Sequence, residues 1–165
     1  MSVTLLALLL LSEPPATDTR PATELISALP ACESLEECAA SKELLRRGQA
    51  IVADLVKALE RPEELVRFWA LGLLGELQAK AAFEAIVARV QDREIRVQAA
   101  ALYALGQLGE RRGTAVLTAA LAEKDPNLRI AATLGLGLLL DPASGAALVK
   151  ALADRDDEVR GYAAA

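Results

Sequence analysis

The sequence has no histidine and only two cysteines, Cys32 and Cys38, among its 165 residues. Without histidine the chain lacks the commonest general base and the usual Ser/His and Cys/His nucleophile pairs. Most zinc sites are excluded for the same reason. An enzyme built from this chain would have to use carboxylates, Lys, Arg or Tyr. We therefore expect a protein that is not an enzyme and that holds no metal and no cofactor.

Aromatic residues and positive charge are also scarce. Aromatic side chains make up 3% of the chain although 53% of its residues are hydrophobic, so the core has to be built mostly from Ala and Leu. Small side chains of this kind suit closely stacked helices. The net charge is −5, the opposite of the basic surface that binding to phosphates requires. We therefore expect no nucleic-acid partner.

The chain opens with an apolar run over residues 3–11. A membrane span needs about 20 apolar residues, so this run predicts no membrane span, but it fits the hydrophobic region of a secretory signal peptide. Residues 1–16 are therefore interpreted as a signal peptide and residues 17–21 as a polar linker. With a real signal the protein is exported to the periplasm or secreted, and otherwise it is cytoplasmic. The alternative interpretation is a disordered or mis-started N-terminus.

Residues 22–48 are predicted to form a degenerate helical pair that caps the N-terminal end of the array. The first helix stops at Pro30, because a proline disfavours helical geometry in the residue before it. The second helix is predicted over residues 35–47, since Ser34 and Glu37 have the spacing of a capping box.

This placement puts Cys38 in the first turn of the second capping helix and Cys32 just before its cap. A disulfide between the two would close over the start of the helix. One interpretation is a structural disulfide in an exported protein. The other is a pair of small buried thiols in a cytosolic protein.

The pattern of residues 63–77 returns three times at intervals of 31 residues. The matching columns are Val66, Val97, Leu128 and Val159; Ala70, Ala101, Ala132 and Ala163; Leu74, Leu105 and Leu136; and Gly75, Gly106 and Gly137. A fixed period of this length is typical of a solenoid, in which each unit buries its apolar face against its neighbours. Each unit is predicted as a shorter helix followed by a longer one, over residues 49–60 with 63–77, 80–91 with 94–108, 113–123 with 126–140, and 143–153 with 157 onward.

A longer helix that opens with acidic residues and Val-Arg, followed by Ala and Leu-Gly, resembles the HEAT repeat in the short form also found in phycobilisome-lyase-like proteins. The resemblance covers residues 49–165 and implies an all-α fold, a right-handed α-α superhelix with a 31-residue period. About four repeats are expected, the last one truncated. Because the last helix stops at Ala165, further repeats beyond this residue are one expected partner.

The resemblance also implies a ladder of acidic and arginine columns that joins adjacent units. Its predicted members are Glu63, Arg67, Glu94, Asp125, Arg129, Asp156 and Arg160. Each acid lies four residues before the arginine column, so the arginine can pair within its own helix or reach the next unit. A second acidic set, Asp92, Glu123 and Asp154, lies six residues before that column. Gln98 replaces the arginine of the second unit, where Arg96 is close enough to stand in.

HEAT-like arrays generally present the longer helices on their concave side. A stripe on these helices carries Trp69, Tyr103, Leu134 and Tyr162, and Trp and Tyr are enriched at binding hot spots. The stripe is therefore a candidate partner-binding surface. Alternatively, its aromatic side chains fill gaps in a core rich in alanine. The same register predicts that Ala101 is fully buried and that Ala100 beside it is not.

Three functions are consistent with this sequence. The first is a non-catalytic scaffold that binds an unknown protein or peptide through its concave face. The second, suggested only by the family name, is a bilin lyase-like or tetrapyrrole-handling protein, although no histidine is present to position a tetrapyrrole. The third is a structural segment of a longer solenoid.

Overall fold

Strong helix formers dominate the regular part of this sequence, and the structure is correspondingly helical. The computed structural model describes residues 18–164, and the predicted signal peptide at residues 1–16 lies outside the described residues. Throughout the described part the chain forms helices and no strand. The N-terminal pair consists of α1 (Ala22–Ala28) and α2 (Ala39–Arg47).

Four further helical pairs follow, each a shorter helix and then a longer one. They are α3 (Val52–Ala58) with α4 (Glu64–Glu76), α5 (Phe83–Arg89) with α6 (Ile95–Gln107), α7 (Gly113–Ala120) with α8 (Pro126–Leu139), and α9 (Gly145–Ala151) with α10 (Asp157–Ala164). Every predicted pair is present, and the predicted all-α solenoid is confirmed. Three of the shorter helices start later than predicted, because the residues before them form 3₁₀ turns at Gly48–Ile51, Lys80–Ala82 and Pro142–Ser144.

Local signals explain where several long helices begin and end. The side chain of Asp125 accepts a hydrogen bond from the backbone N–H of Asn127, and Pro126 occupies the first turn, where its missing N–H is not needed. After the longer helices, Gln78, Gly109 and Leu140 adopt positive φ angles of 46°, 65° and 50°. A left-handed residue at this place ends an α-helix, and glycine adopts that conformation without strain.

The core runs along the array between the shorter and the longer helices, and alanines on the longer helices allow a close approach. Ala70, Ala101 and Ala132 are completely buried, as the register predicts for this column, whereas its fourth member, Ala163, is half-buried. Helices α6 and α8 approach closely, since a Cβ atom added to Gly106 would lie 2.5 Å from both the Cα and the carbonyl oxygen of Gly135. Small residues therefore decide how tightly the second and third repeats stack.

The second capping helix differs from the prediction. It begins at Ala39 and not at residue 35, although the backbone N–H of Glu37 does donate to the Ser34 hydroxyl at 3.2 Å. The buried hydroxyl of Ser41 instead donates to the carbonyl oxygens of Leu35 and Cys38. These bonds hold residues 35–38 in a turn ahead of the helix.

Candidate partner-binding groove

The arginine column holds adjacent repeats in register and so positions the longer helices. Arg67 of α4 donates to both carboxylate oxygens of Asp92, at 3.0 and 2.8 Å, and each side chain is only 4% exposed. Arg129 of α8 makes the same two-pronged contact with Asp154, at 2.9 Å for each bond. Both arginines therefore pair with the following repeat. The sequence allowed this pairing as well as one within the arginine's own helix.

The acidic partners come from the second acidic set and not from the first. Of the first set, Glu63 accepts hydrogen bonds from Arg61, and Asp125 and Asp156 cap the helices that follow them. Glu94 lies 3.7 Å from Arg93. The prediction that each arginine pairs with the acid four residues before it is thus corrected. Its partner is the acid 25 residues after it. Asp125 and Asp156 are instead hydrogen-bonded to backbone N–H groups at the start of the helices that follow them.

The carboxylates of the ladder are held ionised by their arginines. Burial by itself would raise the pKa of Asp92, but the hydrogen bonds from Arg67 and from the backbone N–H of Glu94 hold that pKa below its ordinary value. The hydrogen bonds from Arg129 lower the pKa of Asp154 in the same way, against a smaller effect of burial.

The ladder is interrupted between the second and third repeats. Gln98 stands in the arginine column and, within the described part of the chain, donates only to the backbone carbonyl of Asp92, six residues before it. Arg67, Arg129 and Arg160 make the equivalent carbonyl contact. Arg160 also pairs with Asp157 of its own helix. Arg96 does not replace the missing arginine, because it lies on the opposite side of the helix, near Glu64.

A groove of about 560 Å³ runs across the faces of α4, α6 and α8. Its lining is almost entirely apolar and consists of Leu35, Phe68, Trp69, Gly72, Ile95, Arg96, Ala99, Ala100, Tyr103, Asn127, Ile130, Ala131 and Leu134. We refer to this surface as the groove. It spans three consecutive repeats, so it exists only when the repeats are stacked.

The structure brings together three of the four residues of the predicted aromatic stripe. Trp69, Tyr103 and Leu134 line the groove, and Tyr103 is 39% exposed. Tyr162 is 46% exposed but lies on α10, outside the groove. Ala100 lines the groove while Ala101 is fully buried, in agreement with the predicted register.

Sequence reasoning missed several groove residues, among them Phe68, Ile95, Arg96 and Ile130. A signal for them was present, because residues 68, 99 and 130 follow the arginine column directly and all line the groove. The predicted stripe began one residue further along the helix. Alanine in the second repeat conceals the apolar character of the neighbouring column.

Trp69 is partly buried and packs against Phe68. The ring centroids are 4.9 Å apart and the rings meet edge to face, a favourable arrangement for aromatic pairs. The indole Nε1 is buried and has no hydrogen-bond partner among the described residues. Trp69 thus forms part of the wall of the groove and also packs against the core. The sequence left open whether this side chain lines a binding surface or fills a gap in the core, and it does both.

The disulfide loop forms one end of the groove. Cys32 and Cys38 are joined by a disulfide, with Cα atoms 5.4 Å apart. The loop between them carries Leu35, whose side chain packs so closely over α4 that a Cβ atom added to Gly72 would lie 3.0 Å from its Cδ1 atom. The N-terminal cap therefore contributes directly to the shape of the groove.

The family of the chain follows from its repeats. The family model for HEAT repeats matches residues 52–137 and again residues 83–165. The chain belongs to the HEAT-repeat family. A comparison with curated proteins finds no match. The two matches cover α3 to α10, which include the three longer helices of the groove and both arginines of the ladder in this HEAT-repeat protein.

Across residues 18–164 there is no group of three or more His, Cys, Asp or Glu side chains that could hold a metal ion. In the same range no helix is long and apolar enough to cross a membrane. Two further cavities lie beside the arginine ladder, where Arg67 and Arg129 are already paired. The groove is thus the best candidate for a functional site.

Proposed function

We propose that this HEAT-repeat protein is a non-catalytic scaffold that binds a protein or peptide in the groove. The observation that carries the proposal is a continuous, partly exposed apolar surface on three consecutive repeats. Contiguous exposed apolar surface on a protein marks interaction sites, whereas single exposed apolar residues need no explanation. Tyr103 and Ile95, 39% and 47% exposed, are the most accessible large hydrophobic residues of that surface.

The architecture supports a polypeptide as the ligand. HEAT repeats commonly mediate protein interactions, and stacked repeats present an extended surface that suits a segment of chain. The groove is bounded by helices on a rigid scaffold, so a partner would meet a largely preformed site. Its half-buried aromatic side chains offer large contact area at a small loss of conformational entropy.

The test is a pull-down with two matched variants, read by mass spectrometry. Ala100→Arg places a long charged side chain in the groove, whereas Ala119→Arg makes the same change on the exposed surface of α7. We expect partners from the native host to be retained by the wild type and by Ala119→Arg and lost by Ala100→Arg. Both variants must melt like the wild type. Identical partner sets on both variants would contradict the proposed site.

We further propose that the protein is exported. The disulfide of Cys32 and Cys38 supports this proposal, because disulfides persist mainly in oxidising compartments. The predicted signal peptide at residues 1–16 is consistent with it. Mass spectrometry of the mature N-terminus would test the proposal. An intact Met1 on the protein recovered from the cytoplasm would contradict it.

A further inference from the structure

Among residues 18–164, Arg96 is the only charged side chain that lines the groove. The chain as a whole carries a net charge of −5, so a positive charge at the candidate binding site is contrary to the general character of the protein. The side chain of Arg96 is 65% exposed. It stands at the start of α6, beside the apolar residues Phe68 and Ile95.

The guanidinium group of Arg96 rests on an aromatic ring and forms only a long ion pair with a carboxylate. Its central carbon lies 5.3 Å from the centroid of the Phe68 ring, within the range of a cation–π contact. The carboxylate of Glu64 is 3.9 Å away, which is beyond hydrogen-bond distance. Among residues 18–164 we find no hydrogen bond donated by this guanidinium. Arg67 and Arg129, in contrast, both donate to carboxylates.

A guanidinium held in this way can still form a two-pronged contact with a carboxylate from outside. Arginine presents its N–H groups in a flat fork that matches both oxygens of a carboxylate. The fork of Arg96 stands next to an apolar surface that suits a large aliphatic or aromatic side chain. The groove therefore offers two adjacent subsites of different chemistry, one apolar and one cationic.

We propose that the segment bound in the groove carries a bulky apolar residue flanked by a carboxylate, so that the apolar side chain packs on Phe68, Tyr103 and Ile130 while the carboxylate pairs with Arg96. This inference rests on the proposed function and specifies the chemistry of the partner. A single carboxylate on a peptide suits a single arginine. Nucleic acids and anionic bilayers present many negative charges together, which the net negative charge of this chain repels.

The experiment starts from a random peptide library displayed on phage and selected on the full-length oxidised protein. Selected peptides are synthesised and their dissociation constants are measured by fluorescence anisotropy at two salt concentrations. We expect the peptides to be enriched in Asp or Glu beside a bulky apolar residue. Their binding should be lost in Ala100→Arg and should weaken as the salt concentration rises.

A double-mutant cycle then tests the proposed pair. Arg96→Gln should weaken binding about ten- to hundredfold, the range expected for a hydrogen-bonded charge. Replacing the acid of the peptide by its amide should weaken binding to the wild type by a similar factor and have little further effect on Arg96→Gln. Arg93→Gln is the matched control, because Arg93 is exposed and lies outside the groove. It should leave the dissociation constant unchanged.

The outcomes separate this inference from the proposed function. Peptides that require an open groove but show no preference for an acid, and that bind Arg96→Gln normally, would overturn the inference and leave the proposed function intact. Peptides that bind Ala100→Arg as well as the wild type, or a failure to select any, would overturn both. Self-association of the wild type that Ala100→Arg abolishes, measured by sedimentation, would make a second copy the occupant and also overturn the inference.

Discussion

Arg67 and Asp92 form a two-pronged ion pair between successive repeats, with both side chains 4% exposed. The same guanidinium donates to the carbonyl oxygens of Arg61 and Pro62 at 2.9 Å. One arginine thus ties the turn of its own repeat to the turn of the next. Breaking such a buried pair leaves an uncompensated charge, which is far more costly than replacing the pair as a whole.

Asp92→Asn should therefore destabilise the array strongly at neutral pH. The variant leaves Arg67 buried beside a neutral amide, and we expect the free energy of unfolding to fall by about 3–5 kcal/mol. Urea denaturation followed by circular dichroism would measure the loss. Asp54→Asn is the control, since the exposed Lys57 is the only ion-pair partner of Asp54 among residues 18–164. It should change stability by about 0.5 kcal/mol or less.

The pH dependence of the same variant follows from the direction of the pKa shift. The folded-state pKa of Asp92 lies below its unfolded value of about 3.9. The ionised Asp92 therefore makes its full contribution to the free energy of unfolding at a pH above the unfolded pKa. This contribution declines as the pH falls from the unfolded pKa towards the folded pKa. The difference in stability between the wild type and Asp92→Asn should shrink between pH 5 and pH 2. A difference that stays constant over this range would contradict the assignment.

Gln98→Arg should restore the missing rung of the ladder. An arginine at this position can keep the contact with the Asp92 carbonyl and extend towards Glu123, the residue equivalent to Asp92 in the next repeat. Because Glu123 is exposed, the gain should be about 0.5–1 kcal/mol. Adding Glu123→Gln to this variant should remove the gain. A stabilisation that survives the second change would have another origin.

Gly106→Ala and Gly137→Ala occupy equivalent positions in two repeats but should act in opposite directions. A Cβ atom on Gly106 would meet the backbone of Gly135 at 2.5 Å, so the helices must separate and stability should fall by about 1–3 kcal/mol. A Cβ atom on Gly137 meets nothing within 4 Å, and alanine should add about 0.5–1 kcal/mol. Thermal unfolding of the two variants would distinguish them. Equal shifts would show that the close approach of α6 and α8 is wrongly placed.

Reduction of the disulfide should loosen the end of the groove. The loss of the short loop constraint is expected to cost about 2 kcal/mol and to release Leu35 from its place over Gly72. We therefore expect dithiothreitol to lower the melting temperature and to weaken binding of groove-selected peptides. A variant with serine at Cys32 and Cys38 should resemble the reduced wild type. Any effect of dithiothreitol on that variant would point to a cause other than the disulfide.

Much of the fold could be predicted from spacing within the chain. The buried column of Ala70, Ala101 and Ala132 and the division into helical pairs follow from the repeated pattern, because a helix that recurs with the same apolar face must bury that face in the same way. The start of α2 could not be predicted in this manner. Its capping signal at Ser34 competes with the hydrogen bonds of Ser41, and only the packed cap decides between them.

The sequence by itself determined the helical repeats, their buried columns and the HEAT-like character of the chain, since these depend on periodicity along one chain. Only the tertiary structure decided that Asp92 and not Glu63 faces Arg67, and that Phe68 and Arg96 share a groove with Tyr103. Such relationships depend on how far each helix is shifted and rotated against its neighbour. That geometry is set by the small residues at the contacts between the stacked helices, above all where Gly106 meets Gly135.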